Sequence, residues 1–274
     1  MDNKRVLVTG SGTGLGREIA LEFARQGADV VVHYSHAKEG AIKARDEIRD
    51  MGRKSEAFFA DFNKVDQSVN LAVQAISYLG GIDCLINNSG ITMNKSFLDV
   101  TPQMFDSLYH VNVRAQYFLT QHVAREMIGK GGGAIVNVSS IHGVSGAPEH
   151  TVYAGTKGAI MAYTRSLAVE LAHKGVRVNG IAPGWVTVEN YYKAIPGFNE
   201  QDARQAAHDK VPLGRSGEKL EIAKLAVFLC SEECGYIIGQ TIIADGGTTS
   251  LMSLISDFRS KSTASFGAGY VAGL

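Results

Sequence analysis

Thr9-Gly10-Ser11-Gly12-Thr13-Gly14-Leu15-Gly16 follows a short β-branched run, Arg5–Thr9, and opens an amphipathic stretch over 15–26. Glycines between a strand and a helix allow a tight turn, let the backbone approach a diphosphate, and let the helix pack close to the strand. The helix N-terminus adds free N–H groups and a partial positive charge. The spacing Gly10-x3-Gly14-x-Gly16 departs from the standard G-x-G-x-x-G. Its place at the head of an alternating chain favours dinucleotide binding over a plain tight connection.

Outward from that turn, short apolar runs alternate with longer amphipathic ones. Strands are predicted at Arg5–Thr9, Asp29–Tyr34, Ser55–Ala60, Asp83–Asn87, Ala134–Ser139, Arg177–Ile181 and Thr241–Ala244. Helices are predicted near 15–26, 38–51, 64–79, 102–129, 152–173 and 217–230. Runs such as Val30-Val31-Val32 suit parallel strands covered on both faces. The pattern predicts a single-domain, doubly wound Rossmann fold: a seven-stranded parallel sheet with helices on both faces, over residues 1–248. Residues 186–212 interrupt the rhythm and are read as a substrate lid. Residues 249–274 form an extension with an apolar, aromatic end, read as packing at a subunit interface.

The chain has 274 residues, with 27 Lys plus Arg against 27 Asp plus Glu. That balance argues against nucleic acid or an anionic membrane as partner, since either calls for a clustered basic face. No run of about 18 apolar residues exists to span a bilayer, and the first residues lack a signal-peptide layout; a cytosolic location is expected. Three cysteines make no disulfide framework. Cys230 and Cys234 have no Cys or His cluster beside them, so they are read as packing thiols and no metal site is expected.

Tyr153 and Lys157 lie four apart in a predicted helix, which puts both on one face. A phenol titrating near 10 is a poor acid–base group at neutral pH until a nearby cation favours the phenolate. The apolar strand ending Val136-Asn137-Val138-Ser139-Ser140 delivers a serine 13 residues before that tyrosine.

With these motifs in this order, the chain resembles the short-chain dehydrogenase/reductase family from residue 4 to about 248. Thr9–Gly16 matches the family's T-G-x-x-x-G-x-G turn. Asn87-Asn88-Ser89-Gly90 is similar to its N-N-A-G, with Ser89 in place of alanine. Pro183-Gly184 and Asp245-Gly246-Gly247 match its P-G and D-G-G. The resemblance implies an active enzyme that moves hydride between nicotinamide C4 and an alcohol or carbonyl carbon. It assigns Tyr153 to proton exchange with the substrate oxygen, Ser140 to holding that oxygen, and Lys157 to the nicotinamide ribose and the tyrosinate. It gives Asn112 a water that relays protons behind Lys157. It places the cofactor against Gly10, Ser11, Thr13, Gly14, Leu15 and Gly16, against Asp61 and Phe62 after the third strand, against Asn88, Ser89 and Gly90, and against Pro183, Gly184 and Val186. The threonine usual five residues after the proline is Val188 here, with Thr187 one position earlier.

NAD-preferring folds place an acid at the end of the second strand. That slot falls on Tyr34, and no Asp or Glu occurs from 30 to 38. Ser35, His36 and Lys38 are able to meet a 2′-phosphate, so NADP is the expected cofactor, with NAD as an alternative. For the substrate, His142, His150, Trp185 and Tyr191 flank the reacting groups, and several hydrogen-bonding groups near one oxygen suit a polyhydroxylated molecule. A sugar or polyol dehydrogenase is the first reading. A 3-oxoacyl-thioester reductase is the second, and a non-catalytic nucleotide-binding scaffold on the same fold is a third of another class. Surplus apolar positions on 102–129 and 152–173, including Tyr117, Phe118, Ile160, Met161 and Tyr163, predict a homo-oligomer, most simply a tetramer.

Overall fold

The computed structural model describes residues 1–188, 197–252 and 258–259. Seven strands run β1 Arg5–Val8, β2 Asp29–Tyr34, β3 Ser55–Phe59, β4 Cys84–Asn87, β5 Gly133–Val138, β6 Val176–Pro183 and β7 Thr241–Ala244. They form one sheet in the order β3-β2-β1-β4-β5-β6-β7, every pair parallel. The helices are α1 Gly14–Arg25, α2 Lys38–Asp50, α3 Val65–Leu79, α4 Pro102–Tyr109, α5 Ala115–Gly129, α6 Thr151–Ala172, α7 Glu200–Lys210 and α8 Lys219–Cys230.

Side chains alternate across a strand, so Val6 and Val8 face one layer and Leu7 the other. On the first face Val6, Val8, Val30 and Ile86 pack with Ile19 and Phe23 of α1, Ile48 of α2 and Ile222 of α8. On the second, Leu7, Val31 and Leu85 pack with Leu71 of α3, Leu119 of α5 and Ala168 of α6. Two covered faces explain why these strands are continuously apolar. Strand order reverses between β1 and β4, and in such sheets the crevice beyond the strands' carboxyl ends is where ligands bind.

The predicted sheet stands, with boundaries shifted by one or two residues. Two expectations about helices change. The stretch 102–129 is not one α-helix: His110–Arg114 is a π-turn between α4 and α5. An apolar pattern cannot reveal the extra residue of a π-turn, which tends to occur at functional sites. The interruption 186–212 contains α7, capped by Asn199, whose Oδ1 accepts from Gln201 N at 2.8 Å and Asp202 N at 3.3 Å. Only Ala207 of α7 is buried, so the helix shows almost no apolar stripe in the sequence. Residues 189–196 of the expected lid, with Tyr191, and most of the extension lie outside the described residues. The extension does show Arg259, which donates to the carbonyls of His208 and Val211 at the end of α7.

Candidate active site

The site begins with the turn after β1. Gly10 and Gly14 hold φ of 64° and 57°, the left-handed region where a side chain is strained. A Cβ on Gly16 would lie 2.3 Å from both Asn88 Nδ2 and Gly10 O, so only glycine lets α1 seat there. Asn88 fills that space by donating to the carbonyls of Thr9 (3.0 Å) and Gly10 (3.2 Å). Thr13 caps α1 without a side-chain hydrogen bond, which leaves the helix's first N–H groups for an external anion. This glycine cradle and open helix end fit the diphosphate of a dinucleotide.

Ser11 was expected to touch the cofactor. It is wholly buried: its hydroxyl donates to Val8 O at 2.6 Å and accepts from His33 N at 3.0 Å. It braces the turn from inside. Gly16 is likewise buried and serves packing, while Gly10, Thr13, Gly14 and Leu15 keep some exposure.

His33 is the residue sequence reasoning passed over. It is 1% exposed, and its ring stacks on Phe62 at 4.5 Å. Gly10 N–H donates to its Nδ1 at 2.9 Å. Nε2 lies 3.0 Å from Ala60 O, and a carbonyl can only accept, so the proton sits on Nε2. Ser89 Oγ is 3.3 Å from Nδ1. One neutral imidazole therefore ties together the turns after β1, β3 and β4. Burial, partly offset by the bond to Ala60, lowers its pKa to about 4. The available signal was a histidine inside an apolar strand, since a buried polar group must find partners. Phe62, 3% exposed, turns its side chain to His33, leaving only its backbone for a cofactor. Asp61 stays partly exposed; a bond from Asn63 N–H, above all, holds its carboxyl below the ordinary range.

Tyr34 and Ser35 are half-buried and His36 is exposed at the end of β2. Across the crevice, Gly184 packs on Asp245, since a Cβ there would lie 2.6 Å from Asp245 Cβ. The Asp245 carboxylate accepts from Gly247 N at 2.9 Å and Thr249 N at 2.6 Å, which explains the pairing of P-G with D-G-G. Pro183 is buried. The Val186 side chain, 6% exposed, belongs to the core, so only its backbone is available to a ligand. Thr187 donates to Ser216 Oγ at 3.3 Å, and Val188 lies against Gly14.

Ser140 follows β5 and Tyr153 and Lys157 share a face of α6. Ser139 Oγ donates to Lys157 O at 2.8 Å, pinning the strand end to the helix. Lys157 is 4% exposed. Its Nζ donates to Val138 O at 3.0 Å and sits 5.6 Å from the Tyr153 ring centroid. Burial lowers the ammonium to about 8. A Cβ on Gly90 would stand in ordinary contact, 3.6 Å from that Nζ and 3.4 Å from Asn112 Oδ1, which places Gly90 beside the ammonium.

Asn112 sits in the π-turn with both amide protons donated. Nδ2 donates to Ile91 O (2.9 Å) and Thr156 Oγ1 (3.1 Å), and Ile91 N–H donates to Oδ1 (2.8 Å). The expected relay water therefore finds no free side-chain donor on Asn112; the second lone pair of Oδ1 and the backbone carbonyl are the acceptors left to it.

Two histidines close the other side. His142 and His150 stack at 4.6 Å, 8° from parallel, and stand edge-on to the Tyr153 ring at 5.6 Å and 6.2 Å. His142 N–H donates to Ser140 Oγ at 3.3 Å. Trp185 is partly exposed beside Gly184.

Comparison with known proteins bears on this arrangement. Residues 10–249 match the sequence model of a family described as enoyl-(acyl carrier protein) reductase. A hydroxynaphthalene reductase-like protein, Arp2, of Metarhizium robertsii is 36% identical over 257 residues, 90% of this chain and 96% of that protein. A 7α-hydroxysteroid dehydrogenase complexed with NADH and 7-oxo glycochenodeoxycholic acid superposes with a TM-score of 0.84 at 36% identity, covering 90% of this chain and 94% of that one. A gluconate 5-dehydrogenase from Burkholderia cenocepacia in complex with NADP and tartrate gives 0.84 at 30% identity, covering 92% and 97%. The chain belongs to the short-chain dehydrogenase/reductase family. It is an oxidoreductase of CH–OH groups that uses a nicotinamide dinucleotide. Among the described residues no helix is long and apolar enough to cross a membrane, and no His, Cys, Asp and Glu cluster suits a metal.

Proposed function

We propose that the protein interconverts a secondary alcohol and its carbonyl compound on a polyhydroxylated substrate, as a sugar or polyol dehydrogenase does. The observation that carries the reaction is the buried Lys157 ammonium beside the Tyr153 ring, with Ser140 at the adjoining strand end; the polyhydroxylated substrate is supported by the polar rings of His142 and His150 next to Tyr153. When bound, the dinucleotide supplies or accepts hydride at nicotinamide C4. Tyr153 gives a proton to the carbonyl oxygen during reduction and takes it back during oxidation. Lys157, a cation held in low dielectric, favours the phenolate that remains. Ser140 steadies the oxygen as charge develops.

NADP is the proposed cofactor. Tyr34, Ser35 and His36 stand where an acid would otherwise repel a 2′-phosphate, and His36 is close enough to Asp61 to help hold its carboxylate ionised. A homo-oligomer that pairs α5 and α6 is supported by Tyr117 and Phe118, which are 45% and 38% exposed. A groove of about 260 Å³ lies between these helices, lined by Tyr117, Arg125, Tyr163 and Glu170. Three free thiols, all buried, suit a reducing, cytosolic setting.

A 3-oxoacyl-thioester substrate is the second reading; the description of the matching family names an acyl-carrier thioester, though an enoyl and not a 3-oxo one. Initial rates on aldoses, polyols and 3-oxoacyl thioesters, each with NAD(H) and NADP(H), decide between them. Turnover confined to thioesters overturns the polyol reading. Nicotinamide binding without turnover of any member returns the scaffold alternative.

A further inference from the structure

The stacked histidines have a definite tautomeric pattern. His150 Nδ1 lies 2.7 Å from Pro148 O, and a carbonyl only accepts, so Nδ1 carries the proton and Nε2 presents a lone pair. His142 is the reverse case. Its Nδ1 is buried without a partner, and a buried N–H left unsatisfied is rarer than an under-satisfied acceptor. The proton therefore belongs on Nε2, which meets no protein partner among the described residues. Burial, and secondarily the neighbouring His150, disfavour the charged form of His142.

In the neutral pair, one Nε2 donates and the other accepts, on rings stacked 4.6 Å apart beside Tyr153. A carboxylate needs two donors and would face the lone pair of His150. A ketone oxygen would use only His142. A hydroxyl group, one donor and one acceptor on one atom, uses both. We infer that the stacked His142–His150 pair is a subsite for a substrate hydroxyl one or two carbons from the reacting carbon. Both rings stand edge-on to Tyr153, with centroids 5.6 Å and 6.2 Å from its own, so the subsite adjoins the reacting group. The pair is held from outside the crevice as well. Glu149, just before His150, has φ of 63°, and its carbonyl accepts from Lys95 N at 2.9 Å, so the loop's strained conformation is pinned by a neighbouring segment. The inference rests on the proposed polyhydroxylated substrate and names the group that the site reads.

The test uses the full chain and matched cyclic probes. Calorimetry on the enzyme saturated with NADP⁺ compares trans-1,2-cyclohexanediol with cyclohexanol. Initial rates with NADPH compare 2-hydroxycyclohexanone with cyclohexanone. The hydroxylated member should be favoured at least about tenfold in both, because a substrate that covers these two polar edges without matching them leaves them unpaired. His142→Phe and His150→Phe keep the stack but remove the edges, and each should bring the ratio close to one; His150→Gln, which can accept again, should restore part of it. A ratio near one in the wild type, or one unchanged in both Phe variants, overturns the subsite. Tighter diol binding with no reduction of either ketone supports the subsite and counts against the oxidoreductase assignments of Tyr153 and Lys157 instead.

Discussion

Replacing His33 by phenylalanine keeps a ring on Phe62 and removes both nitrogens. At neutral pH the Gly10 N–H loses its acceptor and Ala60 O its donor, each inside the protein. An unsatisfied buried group costs about 1–3 kcal/mol, so with two such groups His33→Phe should lose about 2–6 kcal/mol of stability at pH 7.5. The pH dependence is the sharper test. In the fold His33 titrates near 4, against 6.5 for an ordinary imidazole. The unfolded chain takes a proton on the way down through pH 6.5 while the native protein refuses it. The folded-state pKa is depressed, so the contribution is whole above pH 6.5 and drains away as pH falls towards 4. The full difference is about 3 kcal/mol, of which about 2 kcal/mol should be gone by pH 5. Urea unfolding of wild type and variant from pH 7.5 to 5, at one protein concentration, measures this directly. The wild-type curve should fall more steeply and approach that of the variant. Subtracting the two removes the other histidines, including His142. Parallel curves would refute the assignment of His33 as a neutral buried hub. Because the same imidazole joins three turns that flank the crevice, His33→Phe should also raise the Kd for NADPH about tenfold, equal to about 1.4 kcal/mol.

Tyr153→Phe should lower kcat by about 10²–10⁴ while nicotinamide fluorescence still reports cofactor binding; a near wild-type rate ends the acid–base assignment. Tyr34→Asp should shift kcat/KM towards NAD through repulsion of the 2′-phosphate, and a wild type that already prefers NAD defeats the NADP proposal. Light scattering at micromolar concentration should give an oligomer, which Phe118→Asp on α5 should weaken; a wild-type monomer refutes pairing through α5 and α6. Deleting residues 264–274 should raise KM for substrate or loosen the oligomer, and unchanged kinetics with unchanged mass dismisses a role for the extension.

The sheet was legible because its evidence is repeated along the chain. Seven apolar runs with helical periods between them leave few topologies once crossovers must be right-handed. The cofactor turn was legible because the close contact at Gly16 admits no side chain. What escaped was set by tertiary partners. The π-turn at 110–114 exists where Asn112 reaches the Ile91 backbone, a contact no local pattern announces. Ser11 was expected to touch the cofactor because it lies in the glycine turn; its burial depends on His33 lying beneath that turn. Helix α7 hid because a surface helix with one buried alanine has the composition of a loop.

The same contrast explains why the reaction is easier to read than the substrate. Tyr153 and Lys157 are related by one helical turn, and Ser140 follows the last residues of a strand, so their mutual geometry comes with the secondary structure. The groups expected to read the substrate lie on connecting segments, where position depends on single backbone angles. His150 illustrates this: its ring stacks on His142 directly after Glu149, which takes a left-handed conformation that a non-glycine residue seldom adopts. A sequence names the imidazole but not the direction it faces. Direction also decides which nitrogen is free, and hence whether a hydroxyl, a carboxylate or nothing is recognised. In this chain the bond to Pro148 O and the buried Nδ1 of His142 fix the two tautomers in opposite senses. That opposition distinguishes a hydroxyl-reading pair from two histidines that merely fill space.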